Sequence, residues 1–152
     1  MYNYAPSSYK CPICLGVQGI ENEDTLLKQS DVVYKDELVT AFINSFFVGK
    51  NPGHAIVVPN EHFENIYNLP TEYAHCIFDV AQKIALAMKK TYGCDGIMTQ
   101  QNNEPASGQH AFHYHLHIFP RYENDQLHSF MNEKRLAPSE ERIEYAQKLK
   151  SI

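Results

Sequence analysis

Ala111-Phe112-His113-Tyr114-His115-Leu116-His117-Ile118-Phe119-Pro120 is the stretch whose reading decides the fold. Apolar and imidazole side chains alternate along it. In an extended chain successive side chains point to opposite faces. A strand over 111–120 therefore puts Phe112, Tyr114, Leu116 and Ile118 on a core face and His113, His115 and His117 on the other. Same-face neighbours on a strand stand ~6.5 Å apart. One metal ion takes two such imidazoles with some bending but rarely three, so at least one is free for other work. Neutral imidazole is a nucleophile and proton carrier near pH 7. The preceding loop, Asn102 to Gln109, is turn-rich, and the backbone N–H groups of Ser107-Gly108-Gln109 fit an anion-binding nest. A histidine row beside such a loop points to phosphate chemistry.

Working outward, the chain alternates β-rich and helical segments. Val32-Val33-Tyr34 and Leu38 to Ile43 read as a hairpin, and His54 to Val58 as a short buried strand stopped by Pro59. A long helix follows, with Thr71 as N-cap, Tyr73, Ile77, Val80, Ala81, Ile84 and Met88 on one apolar face, and Gly93 as stop. Gly96 to Gln101 is the next strand. Ser139 to Lys150 closes the chain as a helix capped by Ser139. Hairpin-like links between strands predict an α+β fold with an antiparallel sheet rather than a doubly wound parallel one.

Composition bounds the function. The chain has 152 residues, a formal charge of −5, no Trp, eight His and four Cys. The length predicts one domain over 1–152. A surplus of carboxylates argues against binding a nucleic acid polymer, which needs surplus Lys and Arg, but leaves a single nucleotide open. Met1 to Lys10 has no signal-peptide pattern and no apolar run reaches membrane-span length, so a cytoplasmic location and no membrane partner are expected. In a reducing compartment the cysteines are thiols or metal ligands. Cys11-Pro12-Ile13-Cys14 can pinch one zinc ion if two histidines complete the site. A redox pair and plain structural cysteines are the other readings of that motif.

These residues resemble the histidine triad (HIT) family. The likeness rests on His-x-His-x-His followed by Ile118-Phe119. It extends to Cys11-x-x-Cys14, Ala41-Phe42-Ile43-Asn44, Pro52-Gly53-His54, Val57-Val58-Pro59 and Gly108-Gln109. The resemblance covers roughly 10–123, which implies a core at about 10–123 and a C-terminal extension at 124–152. It implies a HIT-like fold in which an antiparallel half-barrel sheet carries one long helix and a C-terminal helix, and a homodimer. It also implies hydrolysis or transfer of nucleotides at an α-phosphate through a nucleotidyl-histidine. His115 then matches the nucleophile, and His117 the phosphate-binding and leaving-group histidine. Asn102, Ser107 and Gln109 match the phosphate loop, Asn44 the ribose-binding position and His54 the pocket histidine. Bacterial members carry a structural zinc on residues matching Cys11, Cys14, His62 and His113.

Details of the motif select a branch. Tyr114 stands where hexose-phosphate uridylyltransferases have Pro, and His117 is not the Gln of the phosphorylase-like transferases. That favours hydrolysis of a purine nucleoside phosphoramidate or dinucleoside polyphosphate. His110 departs from the Ser or Thr common in the family. A nucleotide-sensing scaffold without chemistry, and a metalloenzyme built on an HxH pair, are the competing classes.

Overall fold

The computed structural model of the protein describes residues 2–152. Its main sheet has five strands: β1 (Val32–Lys35), β2 (Val39–Ile43), β4 (Ala55–Pro59), β5 (Gly96–Gln100) and β6 (Leu116–Arg121). They run in the order β1-β2-β4-β6-β5, and every neighbouring pair is antiparallel. The fold is therefore α+β with an antiparallel sheet. No helix among the described residues is long and apolar enough to cross a membrane.

The apolar stripe of helix α2 (Thr71–Thr91) covers one face of this sheet. Ile77, Val80, Ile84 and Met88 are buried against Ala41, Ile43, Val57, Leu116 and Ile118. Neither long helix starts as its sequence predicts. Pro70 and Pro138, both extended, take the cap positions, and Thr71 and Ser139 are the first helical residues. The prolyl carbonyls accept the opening helical bonds from Ala74 and Arg142. Proline's fixed φ prepares the turn, and no side-chain cap is made.

The histidine segment is only half a strand. β6 begins at Leu116, and residues 111–115 leave the ladder. His113 N–H closes a tight turn onto the Ala111 carbonyl (2.9 Å), Tyr114 N–H donates to the Phe63 carbonyl (2.6 Å), and Phe112 N–H donates to the Tyr9 hydroxyl (3.0 Å). These bonds rotate His113 away from His115 and His117, so the three imidazoles do not share one face.

Residues 124–152 fold back onto their own domain. Helix α4 (Ser139–Leu149) packs on α2 and buries Ala146 and Leu149 in the main core. Arg142 donates to Asp31 at 3.0 Å, with both side chains almost fully enclosed. Tyr145 lies over Gly53, whose φ is +79° and where a Cβ would come within 2.2 Å of the ring. Only glycine satisfies both demands. Between α3 (Leu127–Phe130) and α4 runs β7 (Lys134–Leu136), paired antiparallel with β3 (Phe46–Val48) as a separate ribbon.

The two ion pairs of this extension should behave differently. Arg142→Ala leaves the Asp31 carboxylate buried without its cation and should cost about 3 kcal/mol. Arg135→Ala, which breaks an exposed pair with Glu141, should cost under about 1 kcal/mol. Urea unfolding of the two variants checks the contrast, and equal losses would contradict it.

Candidate active site

Two sites lie back to back across the histidine segment. The first gathers Cys11, Cys14, His62 and His113, whose ligand atoms all fall within 4.8 Å of one another. Cys11 caps the short helix α1 (Pro12–Val17), where its sulfur accepts from Cys14 N–H at 3.4 Å. The one-turn spacing thus brings both sulfurs to one point. His113 Nδ1 lies 3.4 Å from each sulfur, and His62 Nδ1 lies 3.3 Å from that of Cys14. His113 Nε2 is 3.0 Å from the Pro59 carbonyl. A carbonyl only accepts, so Nε2 carries the proton and the Nδ1 lone pair faces the sulfurs. That is the outer-shell arrangement of a metal-binding histidine. Hydrogen bonding from Cys14 and the nearby His113 hold the Cys11 thiol down to about 3, while the Cys14 thiol is pushed up because it shares its proton with Cys11. The pair already favours one thiolate. Two sulfurs and two nitrogens at this spacing fit a tetrahedral zinc ion.

The second site is a cavity of about 490 Å³ on the sheet face opposite α2. His115, His117, His54, Asn44 and Asn102 line it, with His110 and Gly108 at the loop end. His115 Nδ1 sits 2.6 Å from the His113 carbonyl and must donate to it. Its Nε2 therefore holds the lone pair. Burial pushes the His115 ring below the usual imidazole range, against the upward pull of that carbonyl. Burial and the neighbouring imidazoles push His117 well below it. Both rings are neutral at pH 7, with centroids 4.8 Å apart.

His54 is buried and stacks on Phe119 at 4.3 Å. The Phe46 N–H donates to Asn44 Oδ1 (3.1 Å), which leaves Asn44 Nδ2 to donate to His54 Nε2 (2.8 Å). Burial, with Lys134 and His115 adding to it, lowers His54 to about 3. A neutral His54 thus orients the Asn44 amide at the cavity wall.

The loop departs from expectation. Ser107 and Gln109 are not among the lining residues. The Ser107 hydroxyl donates to the Asn103 and Glu104 carbonyls. Gln109 is buried and ties Glu104 N–H to the Glu64 carbonyl. The N–H groups of Ser107, Gly108 and Gln109 turn back onto Glu104 and Pro105, so the expected nest at 107–109 is closed. The N–H groups of His110 and Ala111, two residues on, donate to no group among the described residues, and both residues line the cavity. Glu104 is held at φ +68° by these bonds. Such strain persists only where the surroundings over-determine it.

Sequence reasoning missed several wall residues: Tyr9, Phe46, Gln100, Met131 and Lys134. Gln100 was reachable, since it ends a legible strand and pairs with His117. The others reach the cavity through long-range folding and carry no local signal.

The HIT domain profile matches residues 26–124. The chain belongs to the HIT domain family. Protein hit of Bacillus subtilis (strain 168) is 43% identical over 90 residues, covering 59% of this chain and 61% of that protein. The HIT chain thus spans less than two thirds of that relative's length. Adenylylsulfatase HINT3 of Arabidopsis thaliana is 29% identical over 117 residues, 75% of this chain and 55% of that protein. A zinc-bound histidine triad family protein from Mycobacterium smegmatis superposes with a TM-score of 0.75 at 28% identity, covering 93% of this chain and 91% of that one.

Proposed function

We propose that the protein is a nucleotide hydrolase or nucleotidyl transferase that cleaves at the α-phosphate, with His115 as nucleophile. The observation that carries this reading is the His115 tautomer. Donation of Nδ1–H to the His113 carbonyl aims the Nε2 lone pair away from the backbone, in a ring that the cavity keeps uncharged.

The reaction runs in two steps. Nε2 attacks the α-phosphorus, a P–Nε2 bond forms, and the bond to the leaving group breaks. The negative charge of a bound nucleotide favours protonation of the otherwise neutral His117, which stands beside His115 and gives that proton to the leaving group. The phosphorylated His115 ring is cationic, and the His113 carbonyl stabilises that charge through Nδ1–H. Water or another acceptor then attacks phosphorus and passes its proton to His117, the P–N bond breaks, and its electron pair returns to Nε2. Charge spread over the non-bridging oxygens is met by the free N–H groups of His110 and Ala111. Ser107 and Gln109 serve by shaping the loop, and Asn102 Nδ2 donates to the Ser107 carbonyl from the cavity side.

The remaining walls fit a nucleoside. A smaller apolar cleft of about 180 Å³ opens from the same rim, between Ile13, Leu26, Leu27, Phe42 and Ile56, and shares Asn44, Phe46, His115 and His117 with the main cavity. A purine suits this slot. Asn44 then meets the ribose hydroxyls. The substrate class is a nucleoside phosphoramidate, a dinucleoside polyphosphate or another nucleotide with an activated α-phosphate. The relative named as an adenylylsulfatase supports the last class.

Zinc is the cofactor we assign to Cys11, Cys14, His62 and His113. When bound there it neutralises the thiolates and ties α1 to the catalytic segment, and four protein ligands leave it no position for water. We also assign a homodimer, for which β5, one of the sheet's two edge strands, offers a pairing surface.

His115→Ala should abolish turnover of an adenosine 5′-phosphoramidate or a diadenosine polyphosphate while nucleotide binding by calorimetry persists. Wild-type rates in that variant would overturn the assignment. Cys14→Ser should drop zinc from about one ion per chain to well below half, and lower the thermal midpoint. Metal analysis of protein purified without chelator checks this, and unchanged zinc would contradict it.

A further inference from the structure

The main cavity extends well past the triad. The apolar cleft and the shared rim at Asn44, His115 and His117 account for base, ribose and α-phosphate in the reading above. Lining residues that the apolar cleft does not share include Tyr9, Gln100, His110, Met131 and Lys134, which leaves this part of the wall to the leaving group in that reading. Lys134 is the only Lys, Arg, Asp or Glu among the lining residues.

The ribbon geometry explains how it gets there. Phe46 and Val48 are two apart on β3, so they share a face, and both line the cavity. Lys134 pairs directly with Val48, and Leu136 with Phe46, on that same face. Arg135 points the other way, over the Phe47 ring at 5.3 Å, and is held by Glu141. The alternation therefore commits Lys134 to the cavity. Lys134 makes no ion pair among the described residues. A cation without a carboxylate partner above neutral imidazoles is a receptor for an anion. It also lies outside the matched HIT domain segment, 26–124. The extension thus adds a charge that the domain's own motif does not supply.

We propose that Lys134 is a specificity-determining residue that selects nucleotides whose leaving group carries its own negative charge, such as phosphate, a nucleotide or sulfate. This rests on the α-phosphate reading above. It ranks anionic leaving groups above amines, for which a lysine offers no attraction.

The test compares two adenosine substrates that share everything up to the α-phosphorus. Adenosine 5′-phosphosulfate releases an anion, and adenosine 5′-phosphoramidate releases an amine. Lys134→Gln should lower kcat/KM for the phosphosulfate by about tenfold, the scale of one lost charge-assisted hydrogen bond at a partly solvated site. It should leave the phosphoramidate within about twofold. Lys134→Arg should restore much of the phosphosulfate rate, and its loss in Lys134→Gln should shrink at high salt. Equal losses on both substrates, or no loss on the phosphosulfate, would overturn the proposal while leaving the nucleophile assignment standing. A wild-type protein inactive on both substrates and on a diadenosine polyphosphate would instead remove the α-phosphate reading, and this inference with it. Lys134 is exposed, so both variants should keep the wild-type thermal midpoint. If Lys134→Gln unfolds, the Arg variant and the salt dependence of the wild-type substrate ratio still decide the matter.

Discussion

The hydrogen bond from His115 Nδ1 to the His113 carbonyl is the contact on which the rest depends. In the proposed mechanism it fixes which nitrogen attacks, and it stabilises the ring once it is charged. The bond is only as good as the placement of His113. That residue is clamped at its ring, through Nε2 to the Pro59 carbonyl and through Nδ1 toward the two sulfurs, and at its N–H by the Ala111 carbonyl. A metal at the cysteine pair would therefore act on catalysis by holding a carbonyl still. The motif's histidines divide into one that faces the cysteine pair and two that line the cavity.

The same economy appears in the loop. Its side-chain hydroxyl and amide groups close the turn on itself, and the strain at Glu104 is held by four bonds to its own backbone groups. The donors left over belong to His110 and Ala111. In the proposed mechanism the loop works as a rigid frame that presents two N–H groups, rather than as a set of side chains reaching for phosphate. On the far wall the C-terminal extension completes the cavity. The buried pair of Arg142 and Asp31 and the contact of Tyr145 with Gly53 anchor α4, and α4 in turn fixes the ribbon that carries Lys134.

Much of this was legible in the sequence, for physical reasons. The apolar stripe of α2 and the alternation around Leu116 and Ile118 report burial directly, so the α+β architecture followed from period alone. The cysteine pair and two histidines come together as the resemblance implied, because a one-turn spacing and a buried strand end leave few other placements. What escaped was long-range. Nothing local in Phe46 to Val48 or Lys134 to Leu136 announces a ribbon three residues long, and residue 134 meets residue 48 only after the chain has closed. The break at 111–115 escaped for a similar reason. Its backbone is drawn out of the ladder by Phe63 and Tyr9, distant residues that no periodicity in the segment encodes. The cap positions failed through competition, since a proline carbonyl displaced the expected threonine and serine.

Rapid quench of wild-type protein with excess adenosine substrate into base, followed by intact and peptide mass measurement, reads the central claim directly. Phosphorus bound to imidazole nitrogen survives base. The account predicts an adenylyl adduct on the peptide that holds His115, absent from His115→Ala. Turnover with no adduct at any quench time, or an adduct on a different residue, would contradict it.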